Sequence, residues 1–173
     1  INFFNAYLSK EFNEKMGAVK RERFRLYWDG LAIWNRVGWL AEKFASLDAS
    51  VVLGRYTHLG FFHEPEKIDP QKPLESLAAN VAGVQLNQSL DWLIDTIAGL
   101  CQEYSVDGLV MTTMRTCRPF SALQLPLAEG VSRKLGIPAV VIEGDMVDTN
   151  FYSDAQWDTK LQALMETIEA RKR

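Results

Sequence analysis

The sequence predicts an α/β fold, a doubly wound, Rossmann-like three-layer domain built on a short parallel sheet of about four strands. Two features carry this prediction. Short apolar runs alternate along the chain with longer segments in which apolar residues recur every three or four positions. Strands separated by helices require crossover connections, and such connections give parallel sheets that are covered on both faces.

Length and composition define the class of protein. The chain has 173 residues, 47% hydrophobic and 24% charged, so residues 1–173 are expected to form one globular domain. The net charge of -3 argues against nucleic-acid binding. With two cysteines, no signal peptide and no apolar run of about 20 residues, we expect a cytoplasmic protein without a membrane span. Because residue 1 is isoleucine rather than methionine, we expect a fragment of a longer polypeptide.

The first predicted elements are a helix, a strand, a helix and a strand. Residues 3–16 mix aromatic and charged side chains at near-helical spacing, and Gly17 is a plausible stop. A basic run then leads into Phe24–Trp28, the first strand. Ile33–Leu47 carries apolar residues at spacings of three and four, the stripe of a helix packed on a sheet. Ser50–Leu53 follows directly as the second strand.

The periodicity disappears over residues 54–73, which are predicted to form an irregular excursion from the domain. This segment is rich in glycine, proline and aromatic residues, and long irregular segments in compact domains are often functional. The helical pattern resumes near Leu74 and is strongest over Leu90–Tyr104. That pattern places Cys101 in the core.

The remaining elements continue the alternation. Leu109–Thr113 is predicted as the third strand and Phe120–Leu135 as the next helix. A glycine and a proline end this helix before Ala139–Ile142, the fourth strand. Ser153–Gln156 has the spacing of a capping box and is expected to begin the last helix.

Ligands of open parallel sheets bind beyond the carboxyl ends of the strands, where helix N-termini and free loop backbone converge. Neither a GxGxxG nor a P-loop pattern follows any predicted strand, which argues against a nicotinamide or ATP site. The residues that do follow the four strands are polar, aromatic or able to bind a metal. They are Trp28, Asp29, Gly30 and Trp34; Arg55, Tyr56, Thr57 and His58; Arg115, Thr116, Cys117 and Arg118; and Glu143, Asp145 and Asp148.

Cys117 is the strongest single candidate. It lies between Arg115 and Arg118, just before a predicted helix, and positive neighbours and a helix N-terminus favour the thiolate that binds iron or acts as a nucleophile. The alternative is a small buried cysteine at a strand end. A nucleophilic cysteine is less favoured because only His58 and His63 are available as bases, and a zinc site lacks paired ligand spacing.

Further candidates come from the same loops. Glu143 and His58 are candidate catalytic residues, while the neighbouring aspartates could serve a metal, transfer a proton or cap helices. Trp28, Gly30 and Tyr56 are candidates for substrate contact. Trp28 could stack on an aromatic or adenine ring, although packing in the core is the alternative.

Three stretches of the sequence resemble one known family. Arg25–Arg55, Asp107–Pro119 and Leu135–Gln156 are together similar to the C-terminal half of 2-hydroxyacyl-CoA dehydratase and benzoyl-CoA reductase subunits. The resemblance implies a subunit that works with a paired homologous subunit and an acyl-CoA substrate. It also implies a cysteine-bound 4Fe-4S cluster and a separate ATP-hydrolysing activator that supplies low-potential electrons.

The resemblance implies that Cys117 is one cluster ligand and that the remaining ligands lie outside this chain segment, because one thiolate cannot hold a four-iron cluster. It further implies that Arg115 and Arg118 stabilise the reduced cluster or pair with a phosphate of CoA. Tyr56 or Thr57, and Val147, stand where many subunits of the dehydratases that this chain resembles carry further cysteines. This favours the benzoyl-CoA reductase side of the family, a subunit with altered cluster ligation, or one that only shapes the substrate cleft. The alternative function is a Rossmann-like binding or assembly module without a metal cluster.

Overall fold

A four-stranded, all-parallel sheet forms the centre of the molecule in the computed structural model, which describes residues 2–14, 17–59 and 65–173. The strands lie in the order β2-β1-β3-β4. Their bounds are Phe24–Asp29 for β1, Ala49–Gly54 for β2, Gly108–Met114 for β3 and Ala139–Gly144 for β4. The predicted α/β class and the four predicted strands are confirmed.

The helices of the described residues are α1 (Asn2–Asn13), α2 (Val37–Ser46), α3 (Arg55–His58), α4 (Pro73–Ala82), α5 (Leu90–Glu103), α6 (Pro119–Ala122), α7 (Gln124–Leu135) and α8 (Asp154–Lys172). Helices α2 and α8 cover one face of the sheet, and α5 and α7 cover the other. None of the helices in the described residues combines the length and the apolar composition that crossing a bilayer requires.

Two apolar cores separate the sheet from the helices. Side chains of a strand point alternately to its two faces, so neighbours in β1 belong to different cores. Leu26 contributes to the α2/α8 core, together with Phe44 and Trp157. Tyr27 contributes to the α5/α7 core, which also contains Cys101 as predicted. Burial on both faces is most complete along the interior strand β3, which explains its nearly continuous apolar sequence.

The direction of winding reverses between β1 and β3. The chain passes from β1 to β2 through α2 on one face, then crosses back through α4 and α5 to β3. From β3 it continues through α7 to β4 on the opposite side of the sheet from α2. The helices that follow β1 and β3 therefore cover opposite faces, and it is at the carboxyl ends of such a strand pair that open α/β sheets usually bind ligands.

The helix after β3 differs from the prediction. Instead of one helix over Phe120–Leu135, the structure has α6 and α7, which meet at Leu123. Pro126 accounts for the break, because it has no N–H to donate to the carbonyl of Ala122 and its ring would crowd that carbonyl. In the first turn of α7 the missing donor costs little.

Two other predicted segments are corrected in part. Within residues 54–73, predicted to be irregular, the short helix α3 begins directly after β2 and a 3-10 turn covers Pro65–Lys67. His63 lies outside the described residues. The first helix ends at Asn13 rather than at residue 16.

Helix α1 is amphipathic and leaves its apolar side in solvent. Phe3 and Phe12 are 86% and 82% exposed, and Phe4, Tyr7 and Leu8 are also exposed. At 100° per residue these five side chains share one side of the helix.

Gly30, directly after β1, occupies a position that a side chain would strain. Its φ of +127° lies in a region that L residues rarely adopt, and a Cβ there would meet the Thr112 Cβ at 2.9 Å. We expect Gly30→Ala to lower the free energy of unfolding by about 2–4 kcal/mol, measured by urea denaturation. Gly38→Ala is the control, because nothing lies within 4 Å of its added Cβ and alanine favours the helix. Equal stability of the two variants would contradict the strain at Gly30.

Candidate functional site

The turn that carries Cys117 lies at the carboxyl end of β3. The Cys117 N–H donates to the carbonyl of Met114 at 2.9 Å, and the Ser121 hydroxyl donates to the same carbonyl. Cys117 is a free, half-buried thiol that packs against the edge of the α2/α8 core. The predicted strand-end location is thus confirmed. The helix that follows is the single turn α6, so the helix-dipole contribution expected there is small.

The two arginines beside Cys117 have different environments. The Arg115 Nε donates to the Glu143 Oε1 at 2.5 Å, and its guanidinium lies 4.6 Å from the centre of the Phe151 ring. Glu143, predicted to follow the strand, lies within β4, and its partly exposed carboxylate pairs with Arg115. Arg118 is exposed, and it forms no ion pair with any residue in the described part of the chain. Its charge remains available to an anion at this edge.

Asp145 joins the turn after β4 to the turn of Cys117. Its side chain is buried, and it accepts hydrogen bonds from Thr116, Val147 and Asp148. The hydrogen bond from the Thr116 hydroxyl is the main cause that holds the pKa of Asp145 below its ordinary value, and the backbone N–H groups act in the same direction. Burial opposes this shift but does not cancel it.

His58 is not brought near Cys117. It lies at the end of α3, where its exposed ring contacts Tyr104 edge-on with 5.6 Å between ring centres. Tyr104 packs against the α5/α7 core, whereas Cys117 packs against the α2/α8 core. The partner of His58 and the Cys117 thiol therefore lie on opposite faces of the sheet. This geometry removes His58 as a base for the Cys117 thiol.

A buried polar network lies beneath this edge, centred on Asp29 at the end of β1. Its Oδ1 lies 2.7 Å from the Arg55 Nη2 and accepts a hydrogen bond from the Gln124 Nε2 at 2.7 Å. The Tyr27 hydroxyl donates to its Oδ2 at 2.5 Å. Asp29 and Arg55 are 0% and 2% exposed, and the Arg55 guanidinium lies 4.3 Å from the centre of the Phe120 ring. The pair thus ties β1 and α3 to α6 and α7.

On the sequence alone, Asp29 and Arg55 were placed among the residues that follow strands, without a prediction that they pair, and Gln124 was not identified. A signal for the pair was present, because an aspartate and an arginine end two strands that were predicted to be parallel and consecutive. Gln124 had no such signal, because its position depends on the break between α6 and α7.

The three predicted substrate contacts lie together. Trp28, Gly30 and Tyr56 line one cavity of about 400 Å³ between α2 and β2. The other walls are mainly apolar and include Phe44 and Leu53. Trp28 also packs in the core, as its alternative role predicted. Its ring stacks on Trp157 with 5.7 Å between centres and an interplanar angle of 17°.

The described residues can supply one cluster ligand and not a complete set. Among them, no three histidine, cysteine, aspartate or glutamate side chains are grouped so that they could hold a metal ion. A half-buried thiol without a disulfide partner, in the turn after β3 and beside an exposed arginine, fits a single thiolate ligand. A four-iron cluster would need further ligands from elsewhere.

Comparison with known proteins identifies related sequences. The family model for the 2-hydroxyglutaryl-CoA dehydratase D-component matches residues 1–168. The chain is 30% identical to the alpha subunit of lactoyl-CoA dehydratase from Anaerotignum propionicum, over 86% of this chain and 35% of that protein. It is 29% identical to a benzoyl-CoA reductase subunit of Thauera aromatica, over 90% and 36%. The (R)-2-hydroxyisocaproyl-CoA dehydratase alpha subunit of Clostridioides difficile is 24% identical, over 88% and 36%. The chain spans about a third of the length of these curated relatives.

Breaking the buried ion pair between Asp29 and Arg55 should destabilise the fold. We expect Arg55→Met to lower the free energy of unfolding by about 3–5 kcal/mol, because the Asp29 carboxylate would stay buried without its counter-charge. In urea denaturation, Asp29→Asn combined with Arg55→Met should cost less than the sum of the two single changes. Lys134→Met, which removes the exposed ion pair with Asp95, is the control and should cost less than about 1 kcal/mol. Additive losses at Asp29 and Arg55 would contradict the coupling.

Proposed function

The chain belongs to the 2-hydroxyglutaryl-CoA dehydratase D-component family, and on this basis we propose that it is part of an acyl-CoA dehydratase or reductase subunit in which Cys117 ligates a 4Fe-4S cluster. One observation carries the proposal: the thiol is half-buried at the carboxyl edge of the sheet, where the winding reverses. Half-burial limits access of water while leaving one side of the sulfur open for a bond.

The proposed cluster would supply single electrons at low potential to a CoA thioester. The proposed role of this chain is to provide one thiolate ligand, Cys117, and the residues that surround it. Arg118 is proposed to interact with the negative charge of the reduced cluster or of a CoA phosphate, because its side chain is exposed and carries a full positive charge. Arg115 is proposed to contribute less, since Glu143 already balances its charge.

The cavity between α2 and β2 is the proposed location for the hydrocarbon part of the thioester. Its volume of about 400 Å³ and its apolar walls suit a small acyl group rather than a nucleotide. Trp28 and Tyr56 offer aromatic faces there. Relatives named as dehydratases and as a reductase match with nearly equal identity, so the acyl group is left open.

The proposed partners are a paired homologous subunit, which agrees with the naming of the relatives as subunits, and an ATP-hydrolysing activator that donates electrons. The proposed location is the cytoplasm, where a free thiol stays reduced. The described region is proposed to fold as one domain, since each of its two cores borders the same sheet.

A second candidate function is a binding or assembly module without a metal. The absence of a grouped ligand set among the described residues favours it. The two functions differ in whether the iron content of the purified complex depends on Cys117, and iron content can be measured directly.

We expect Cys117→Ala to remove most of the iron from the complete subunit purified anaerobically with its partner, because the cluster loses a thiolate ligand. The measurements are iron and acid-labile sulfide content and the electron paramagnetic resonance spectrum. Cys101→Ala is the matched control, because that thiol is buried in the α5/α7 core and should leave iron unchanged. Full iron content in Cys117→Ala would reject the ligand role, and a wild-type complex without iron would favour the module.

Filling the cavity should weaken substrate binding. Ala41→Phe places a ring at the cavity wall, so we expect KM for lactoyl-CoA or benzoyl-CoA, whichever is turned over, to rise roughly tenfold or more at unchanged iron content. Ala45→Phe adds the same ring to an exposed position of α2 that does not line the cavity, and it should leave KM unchanged. Equal KM values for the two variants would contradict the proposal that this cavity binds the acyl group.

A further inference from the structure

One carboxylate connects the two turns that follow β3 and β4, and its two oxygens have separate partners. The Asp145 Oδ2 accepts hydrogen bonds from the Thr116 hydroxyl at 2.6 Å and from the Thr116 N–H at 3.4 Å. The Oδ1 accepts from the N–H groups of Val147 and Asp148 at 3.1 and 3.2 Å. The side chain is 3% exposed. The carboxylate is thus buried, whereas its partner Thr116 is exposed and the bonds between them are part-buried.

The turn of Cys117 is held from both sides. The last paired residues of β3 and β4 are Met114 and Gly144, so Asp145 begins its turn beside the Cys117 turn. The Cys117 N–H is bound to the Met114 carbonyl, while Thr116, the preceding residue, is bound to Asp145. The backbone of Cys117 is thus held by its N–H contact, and the residue before it is held by the Asp145 carboxylate through both its hydroxyl and its N–H.

We propose that Asp145 is a positioning residue that sets the direction of the Cys117 thiol, an inference that rests on the proposed role of Cys117 as a cluster ligand. Hydrogen bonds to a carboxylate are stronger than those between neutral groups, and burial strengthens them further. A ligand on an irregular turn needs such support, because a loop by itself does not hold a side chain to the accuracy that coordination demands.

Two simpler accounts explain less. The first account is that Asp145 only stabilises its own turn, for which its Oδ1 bonds to Val147 and Asp148 would be sufficient. It leaves both Oδ2 bonds to Thr116, in the other turn, unexplained. The neighbouring Arg115–Glu143 ion pair also spans the two strands. Both of its side chains reach solvent, however, and exposed ion pairs hold geometry weakly.

The test is made at Thr116, where the change is small and Asp145 stays in place. Thr116→Val removes the hydroxyl donor at nearly constant shape, and Thr116→Ser keeps the donor. Asp145→Asn tests the carboxylate itself. Asp148→Asn is the charge-matched control in the same turn, since asparagine can still accept the hydrogen bond from the Asn150 N–H. All variants are made in the complete subunit with its partner.

Two measurements are taken on each variant. In the apo complex, the alkylation rate of Cys117 by iodoacetamide is followed by peptide mass spectrometry. In the anaerobic holo complex, loss of iron to bathophenanthroline is followed by absorbance. We expect Thr116→Val and Asp145→Asn to alkylate faster and to lose iron roughly tenfold faster, while Thr116→Ser and Asp148→Asn match the wild type.

Unchanged alkylation in both Thr116→Val and Asp145→Asn would overturn the positioning role. Equal behaviour of Thr116→Val and Thr116→Ser would overturn the hydroxyl contact as its basis. Failure of the proposed function is distinguishable, because a wild-type complex without iron, or one that keeps iron after Cys117→Ala, removes the cluster role. The alkylation rates in that case still decide whether Asp145 orients the thiol.

Discussion

The structure depends on the placement of β1 in the interior of the sheet, hydrogen-bonded to β2 on one side and to β3 on the other. With this pairing, α2 after β1 and α7 after β3 cover opposite faces of the sheet, so the winding reverses between the two strands. The pairing also buries Asp29 at the end of β1. A buried carboxylate requires a counter-charge and donors, and Arg55 and Gln124 provide them. Through Arg55 and Phe120, the same requirement fixes the helix that follows Cys117.

An aromatic stack connects the cavity to the region of Cys117. Trp28 forms part of the cavity wall and stacks on Trp157, which stacks in turn on Tyr152 with 5.5 Å between ring centres. The Trp157 Nε1 donates to the carbonyl of Glu143 at 3.2 Å, directly before the turn of Asp145. Trp157 is fully buried, so a shift at either end of this stack displaces packed neighbours. The proposed substrate cavity and the proposed ligand turn therefore share one rigid boundary.

The sequence was sufficient for the fold and for the neighbourhood of the site. Strands buried on both faces are continuous apolar runs, so Phe24–Trp28 was predicted to within one residue of β1. The carboxyl-edge rule placed Cys117 and Glu143 at the ends of the third and fourth strands, which the structure shows to be neighbours. The burial of Arg55 was missed because hydropathy does not indicate which charge has a partner. The break at Leu123 and the cavity depend on local proline geometry and on the spacing between α2 and β2, which periodicity does not encode.

The uncovered side of α1 affects how residues 1–173 would behave when prepared by themselves. Each square ångström of apolar surface left in water costs about 25 cal/mol, so copies of the domain lower their free energy by burying Phe3, Phe4 and Phe12 against one another. Sedimentation or light scattering on such a preparation would then report self-association through α1 and not the subunit stoichiometry of the assembled protein. A meaningful oligomeric state has to be measured on a sample in which that face is covered or made polar.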